Sequence, residues 1–103
     1  MSNVSPINQN EQWILLVYLL DDIRQQKNIT HDDIAEKTGY HRSSITRFFS
    51  AKYKPGLDVF LEIAKAVKVN FFFEDKEGTS DLNLAFENAM DKIGRRPDKL
   101  PKN

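Results

Sequence analysis

His41, Arg42, Ser43 and Arg47 follow one another closely. On a helix Arg42, Ser43 and Arg47, with Thr46, would share one polar, cationic face. An arginine fork can donate two parallel hydrogen bonds to O6 and N7 of a guanine, a contact worth roughly 1 to 3 kcal/mol of discrimination. Ser43 can donate or accept and specifies less, and His41 can serve instead as a helix N-cap substitute or a phosphate contact. Thr30, His31, Ser44, Thr46, Lys52, Tyr53 and Lys54 surround this set with further polar groups suited to phosphate oxygens. The plainer reading of the same residues is a solvated helix face followed by a loop that two lysines keep soluble.

Other chemistries find less support. The run His31, Asp32, Asp33 invites a metal or acid–base reading, but both carboxylates also stand where a helix start favours negative charge. Cysteine is absent, which removes disulfides, thiolate nucleophiles and cysteine metal sites together. With His31 and His41 the only histidines, no His-Glu-x-x-His pair exists, and there is no glycine-rich phosphate loop. The sequence therefore predicts no enzyme, no metal and no cofactor.

A formal net charge of zero, from 15 basic and 15 acidic residues, argues at first against a polyanionic partner. The distribution along the chain answers this. Arg42, Arg47, Lys52 and Lys54 lie in a stretch free of carboxylates, whereas Glu11, Asp21, Asp22, Asp32, Asp33 and Glu36 precede it. Arg95, Arg96, Lys99 and Lys102 face Asp98 alone near the end. Such segregation gives a positive edge on a neutral molecule.

The elements that must hold these residues are legible from capping and periodicity. A first helix is predicted over residues 11–26, with Trp13, Leu16, Leu20 and Ile23 on one face and Ile14, Leu15, Val17, Tyr18 and Leu19 filling much of the rest. Thr30 with Asp33 forms a capping-box pattern for a second helix, in which Ile34 and Ala35 face inward and which Gly39 ends. After Tyr40 and His41 a third helix covers residues 42–49, anchored by Ile45 and by Phe48 or Phe49, with Arg42, Ser43, Thr46 and Arg47 outside. Residues 50–56 form a loop closed by Pro55 and Gly56. A fourth helix over residues 57–67 buries Val59, Phe60, Ile63, Ala64 and Val67. Asn70 caps a short fifth helix through Phe71, Phe72 and Phe73, and Ser80 caps a sixth to Ile93 with Leu82, Phe86, Ala89 and Ile93 in one stripe.

The expected organisation is thus a flexible segment over 1–10, a binding domain over 11–75, an additional helix over 76–93 and a flexible basic tail over 94–103. The apolar run 13–20 is too short for a bilayer, which needs about 20 residues. The first twelve residues lack the basic region and cleavage site of a signal peptide. A cytoplasmic protein with no membrane partner is expected.

The run THDDIAEKTGYHRSSITRFF, followed by LDVFLEIAKAVKV, resembles the phage-repressor-like, or xenobiotic-response-element-type, helix-turn-helix regulators. That resemblance implies an all-α, compact five-helix fold, here with an additional C-terminal helix, whose third helix enters the major groove of double-stranded DNA. It implies a homodimer on a palindromic operator, with His41, Arg42, Ser43 and Arg47 near base edges. The family often has Gln at the position of His31, where it meets a phosphate, Glu at that of Phe49 and Gly at that of Ala51. The first departure implies a weaker or pH-sensitive contact, because the reference pKa of histidine is about 6.5.

Trp13, Leu16, Val17, Tyr18, Leu19, Phe72, Leu82, Phe86 and Ile93 pose a separate question. Either the last helix covers the surplus apolar surface of the first within one monomer, or part of that surface builds a symmetric dimer. Three functions stay open: a transcriptional regulator, chiefly a repressor; an antitoxin-type protein that binds a toxin as protein partner and represses its own operon; and an interaction module that does not read DNA.

Overall fold

The computed structural model describes residues 11–71 and 73–94 of the 103. The protein is all-α, with five helices among the described residues: α1 Gln12–Gln26, α2 His31–Thr38, α3 Arg42–Phe49, α4 Leu57–Val67 and α5 Leu82–Lys92. The chain divides into two compact units, Met1–Asn70 and Phe71–Asn103. The expected segment 1–10, Phe72 and the tail from Arg95 onward lie outside the described residues.

In the first unit α2 packs on α3 and α4, and α1 packs on α3 and α4. The core is built from Val17 and Leu20 of α1, Ile34 of α2, Ile45, Phe48 and Phe49 of α3, and Phe60, Ile63, Ala64, Ala66 and Val67 of α4. Full burial of one such aliphatic or aromatic side chain contributes about 1.5 to 3 kcal/mol. Both Phe48 and Phe49 are buried, meeting edge to face at 4.9 Å between centroids. Val59 and Ala35 pack against this core as partly buried neighbours.

The face that α1 turns inward keeps Trp13, Leu20 and Ile23 of the expected stripe but takes Val17 in place of Leu16. Val17 is fully buried and Trp13 packs beside it, whereas Leu16 is 44% exposed. Leu15, Tyr18 and Leu19 are exposed as well. A run in which almost every position is apolar fits several helical faces, and packing against α3 and α4 selects the one through Trp13, Val17 and Leu20.

The helix ends are built from backbone as well as side chains. At the end of α4, Lys68 N–H donates to the Lys65 carbonyl at 3.0 Å and Val69 N–H to the Ala64 carbonyl at 3.2 Å, with Lys68 left-handed at φ 67°. This pairing closes the last turn and turns the chain out of the helix. The short helix expected through Phe71, Phe72 and Phe73 is not formed at Phe71 or Phe73, which are non-helical. Consecutive aromatics offer no single face to bury, and Phe73 is 91% exposed. The expected sixth helix is therefore α5.

Asp81, and not Ser80, caps α5 by accepting from Leu84 N–H at 3.0 Å. The Ser80 hydroxyl is instead engaged with the Asp75 carboxylate, to which the Ser80 N–H also donates at 2.8 Å. The same carboxylate accepts from Glu77 and Thr79 N–H groups, and the Ser80 hydroxyl first, then the N–H groups of Glu77, Ser80 and Thr79, hold the Asp75 pKa down at about 2. Ile93 lies just past the end of α5, whose exposed apolar residues include Leu82, Leu84 and Phe86.

Candidate nucleic-acid interface

The start of α2 is locked by the reciprocal pair that the sequence announces. Asp33 N–H donates to Thr30 Oγ1 at 3.0 Å, and Thr30 N–H donates to Asp33 Oδ2 at 2.9 Å. The Thr30 N–H, and after it the Thr30 hydroxyl, stabilise the Asp33 carboxylate and lower its pKa. At the other end Gly39, with φ 82°, donates to the Ala35 carbonyl at 2.9 Å. A Cβ there would meet nothing within 4 Å, so the backbone angle alone calls for glycine.

The chain then re-enters a helix at once. His41 occupies the N-cap of α3 through its carbonyl, which accepts from Ser44 and Ile45 N–H groups, while its side chain makes no capping bond. Ile45, Phe48 and Phe49 at i, i+3 and i+4 fasten α3 to the core. The opposite face is left to solvent: His41, Arg42, Ser43, Ser44, Thr46 and Arg47 are all exposed. Ser43, Ser44 and Arg47 line a common concavity on it.

Three contacts that sequence reasoning missed organise this face. Arg42 Nε forms an ion pair with Asp32 Oδ1 at 3.0 Å, joining the second residue of α2 to the first of α3. The Arg47 guanidinium lies over the Tyr53 ring at 4.9 Å, a cation–π contact that gives Tyr53 a role its phenol alone would not. His31 Nδ1 and Thr46 Oγ1 share a hydrogen bond of 2.9 Å.

Below His31 the contacts continue inward. Its ring stacks on Phe49 at 5.4 Å between centroids, with 14° between the planes, and the Arg24 guanidinium lies over the same Phe49 at 5.2 Å. Arg24 is itself fixed by Asp21, at 2.8 Å from Nε, and by the Ile29 carbonyl, at 2.9 Å from Nη1. Burial lowers the His31 pKa below its usual 6.5; the nearby Arg24 charge lowers it further, while Asp21 opposes. Phe49 is thus the floor of a stack, which gives its departure from Glu a physical reading.

The loop after α3 places Lys52, Tyr53 and Lys54 in solvent. Ser50 Oγ–H donates to the Arg47 carbonyl at 2.6 Å, and Ala51 adopts a left-handed φ of 57°. That angle is the conformation for which Gly would be suited at this position. Of the interface residues expected elsewhere, Leu16, Tyr18, Leu19, Leu82, Phe86 and Ile93 are exposed, Trp13 is partly buried and Val17 belongs to the core.

Among the described residues no group of three or more His, Asp or Glu is placed to hold a metal ion, His31, Asp32 and Asp33 included. None of the described helices is long and apolar enough to cross a membrane. Residues 20–73, spanning the end of α1, α2, the turn, α3 and α4, match the helix-turn-helix family. No curated protein and no solved structure gives a significant match.

Proposed function

The chain belongs to the helix-turn-helix family, with a phage-repressor-like DNA-binding domain, and from that premise we propose that it is a sequence-specific transcriptional regulator acting as a repressor. In this reading α3 enters the major groove, His41, Arg42, Ser43 and Arg47 approach base edges, and Thr30, His31, Ser44, Thr46, Lys52, Tyr53 and Lys54 meet phosphates. The observation that carries it is the division of α3: Ile45, Phe48 and Phe49 are buried while every polar side chain of its first six residues is exposed. A helix so anchored presents a preorganised polar surface to solvent, with Arg42, Thr46 and Arg47 held by neighbours in its own unit.

The domain over 11–75 serves as the reader, and residues 76–93 serve as cover or dimer contact. Leu15, Leu16, Tyr18 and Leu19 of α1 supply apolar surface for a homodimer on a palindromic operator. Exposed Leu82, Leu84 and Phe86 of α5 favour, as the second reading, an antitoxin-type protein with a protein partner. Both readings place the protein in the cytoplasm, without enzymatic activity. Selection from random duplexes followed by sequencing tests the proposal: a symmetric enriched motif is expected, and no enrichment over input overturns it.

A further inference from the structure

We infer that Asp32 is a specificity-determining positioning residue, which acts through Arg42 and rests on the reading of α3 as the groove-entering helix. Asp32 cannot itself hydrogen-bond a guanine acceptor edge or a phosphate, since an ionised carboxylate only accepts. Its oxygen nevertheless meets Arg42 Nε at 3.0 Å on the face that would approach DNA.

The choice of nitrogen matters. A guanidinium carries five N–H donors, one on Nε and two on each Nη. With Nε engaged by Asp32, Nη1 and Nη2 remain as a parallel pair for O6 and N7 of one guanine. The carboxylate stands on a fixed backbone, because the Thr30 and Asp33 capping box closes the turn that carries it. Arg42, the first residue of α3, is equally fixed at its backbone by Ile45 in the core. What remains free is the side chain between them, 67% exposed, and the ion pair restrains that freedom.

The same carboxylate repels phosphate, so it weakens binding wherever Arg42 finds no guanine to reward its placement. Asp32 therefore lowers affinity for unrelated duplexes while sharpening preference at one base pair. A role confined to the helix dipole at the start of α2 would change thermal stability and leave base preference alone.

Selection from random duplexes with the full chain and with Asp32→Asn, Arg42→Ala and the double variant distinguishes these. Asp32→Asn is expected to bind random duplexes several-fold more tightly and to lose roughly ten-fold preference at one base pair, the one at which Arg42→Ala also loses preference. In the Arg42→Ala background the Asp32 change should shift no base preference. If wild type enriches a motif and Asp32→Asn keeps every preference, or loses it at a pair that Arg42→Ala leaves intact, the inference is overturned while the reading of α3 stands. If wild type enriches no motif, the reading fails and takes the inference with it. Melting curves of both single variants, expected to stay cooperative, exclude unfolding as the cause.

Discussion

His31 Nδ1 stands 2.9 Å from Thr46 Oγ1, so the first residue of α2 is joined by a side chain to the exposed face of α3. The His31 pKa is lowered by burial first and then by Arg24. The folded state therefore favours neutral imidazole, and the stability this contributes is complete above the unfolded-state value of about 6.5 and lost as pH falls through the lower folded value. The urea midpoint should decline on acidification from about pH 7.5 through this window, and His31→Gln should flatten that decline. Parallel pH profiles for the two proteins would refute the linkage.

Arg47 rests over Tyr53, an exposed contact of the kind worth about 0.5 to 1 kcal/mol. Tyr53→Phe should bind duplex DNA like wild type if the ring acts by supporting Arg47, whereas Tyr53→Ala should bind several-fold more weakly. A loss already seen with Tyr53→Phe would assign the contact to the phenol and a phosphate.

Lys52 and Lys54 are exposed beside α3. Replacing both with alanine should weaken all duplexes alike and reduce the slope of log affinity against log salt by about 2, since each phosphate contact contributes about 0.9. An unchanged slope would make the two lysines bystanders.

Lys68 holds a left-handed backbone at φ 67° while its side chain is exposed. Lys68→Gly should raise unfolding free energy by about 1 kcal/mol, because glycine adopts this conformation without the Cβ clash. Lys27 Nζ donates to the Val67 and Lys68 carbonyls, which the change retains. Denaturant titration reads the gain directly, and a fall in midpoint would place the strain elsewhere.

The helices α2, α3 and α4 were legible because their signals are local: the Thr30 and Asp33 pair, Gly39, and the spacing of Ile45, Phe48 and Phe49. The inward face of α1 was legible only in part, since a run from Trp13 to Leu20 with no charged or amide residue does not decide between Leu16 and Val17. The end of α4 at Lys68 lacks the glycine that usually announces such a turn, so the helix expected beyond it was drawn from Asn70 and three aromatics. Arg42 with Asp32, and Arg24 with Phe49 and His31, join residues about one or more helices apart, and no short-range pattern encodes them.

The length of α3 sets an informational limit. Eight residues rise about 12 Å, and at 3.4 Å per base step that reaches about four base pairs. A word of about four letters recurs once in roughly 256 random positions, too often to mark a single gene. A second α3 on the same site lengthens the word to about eight letters and its spacing to roughly 65,000 positions. In the proposed dimer the address comes chiefly from number, and the surface that would bring two copies together would carry as much of the message as the side chains that touch it.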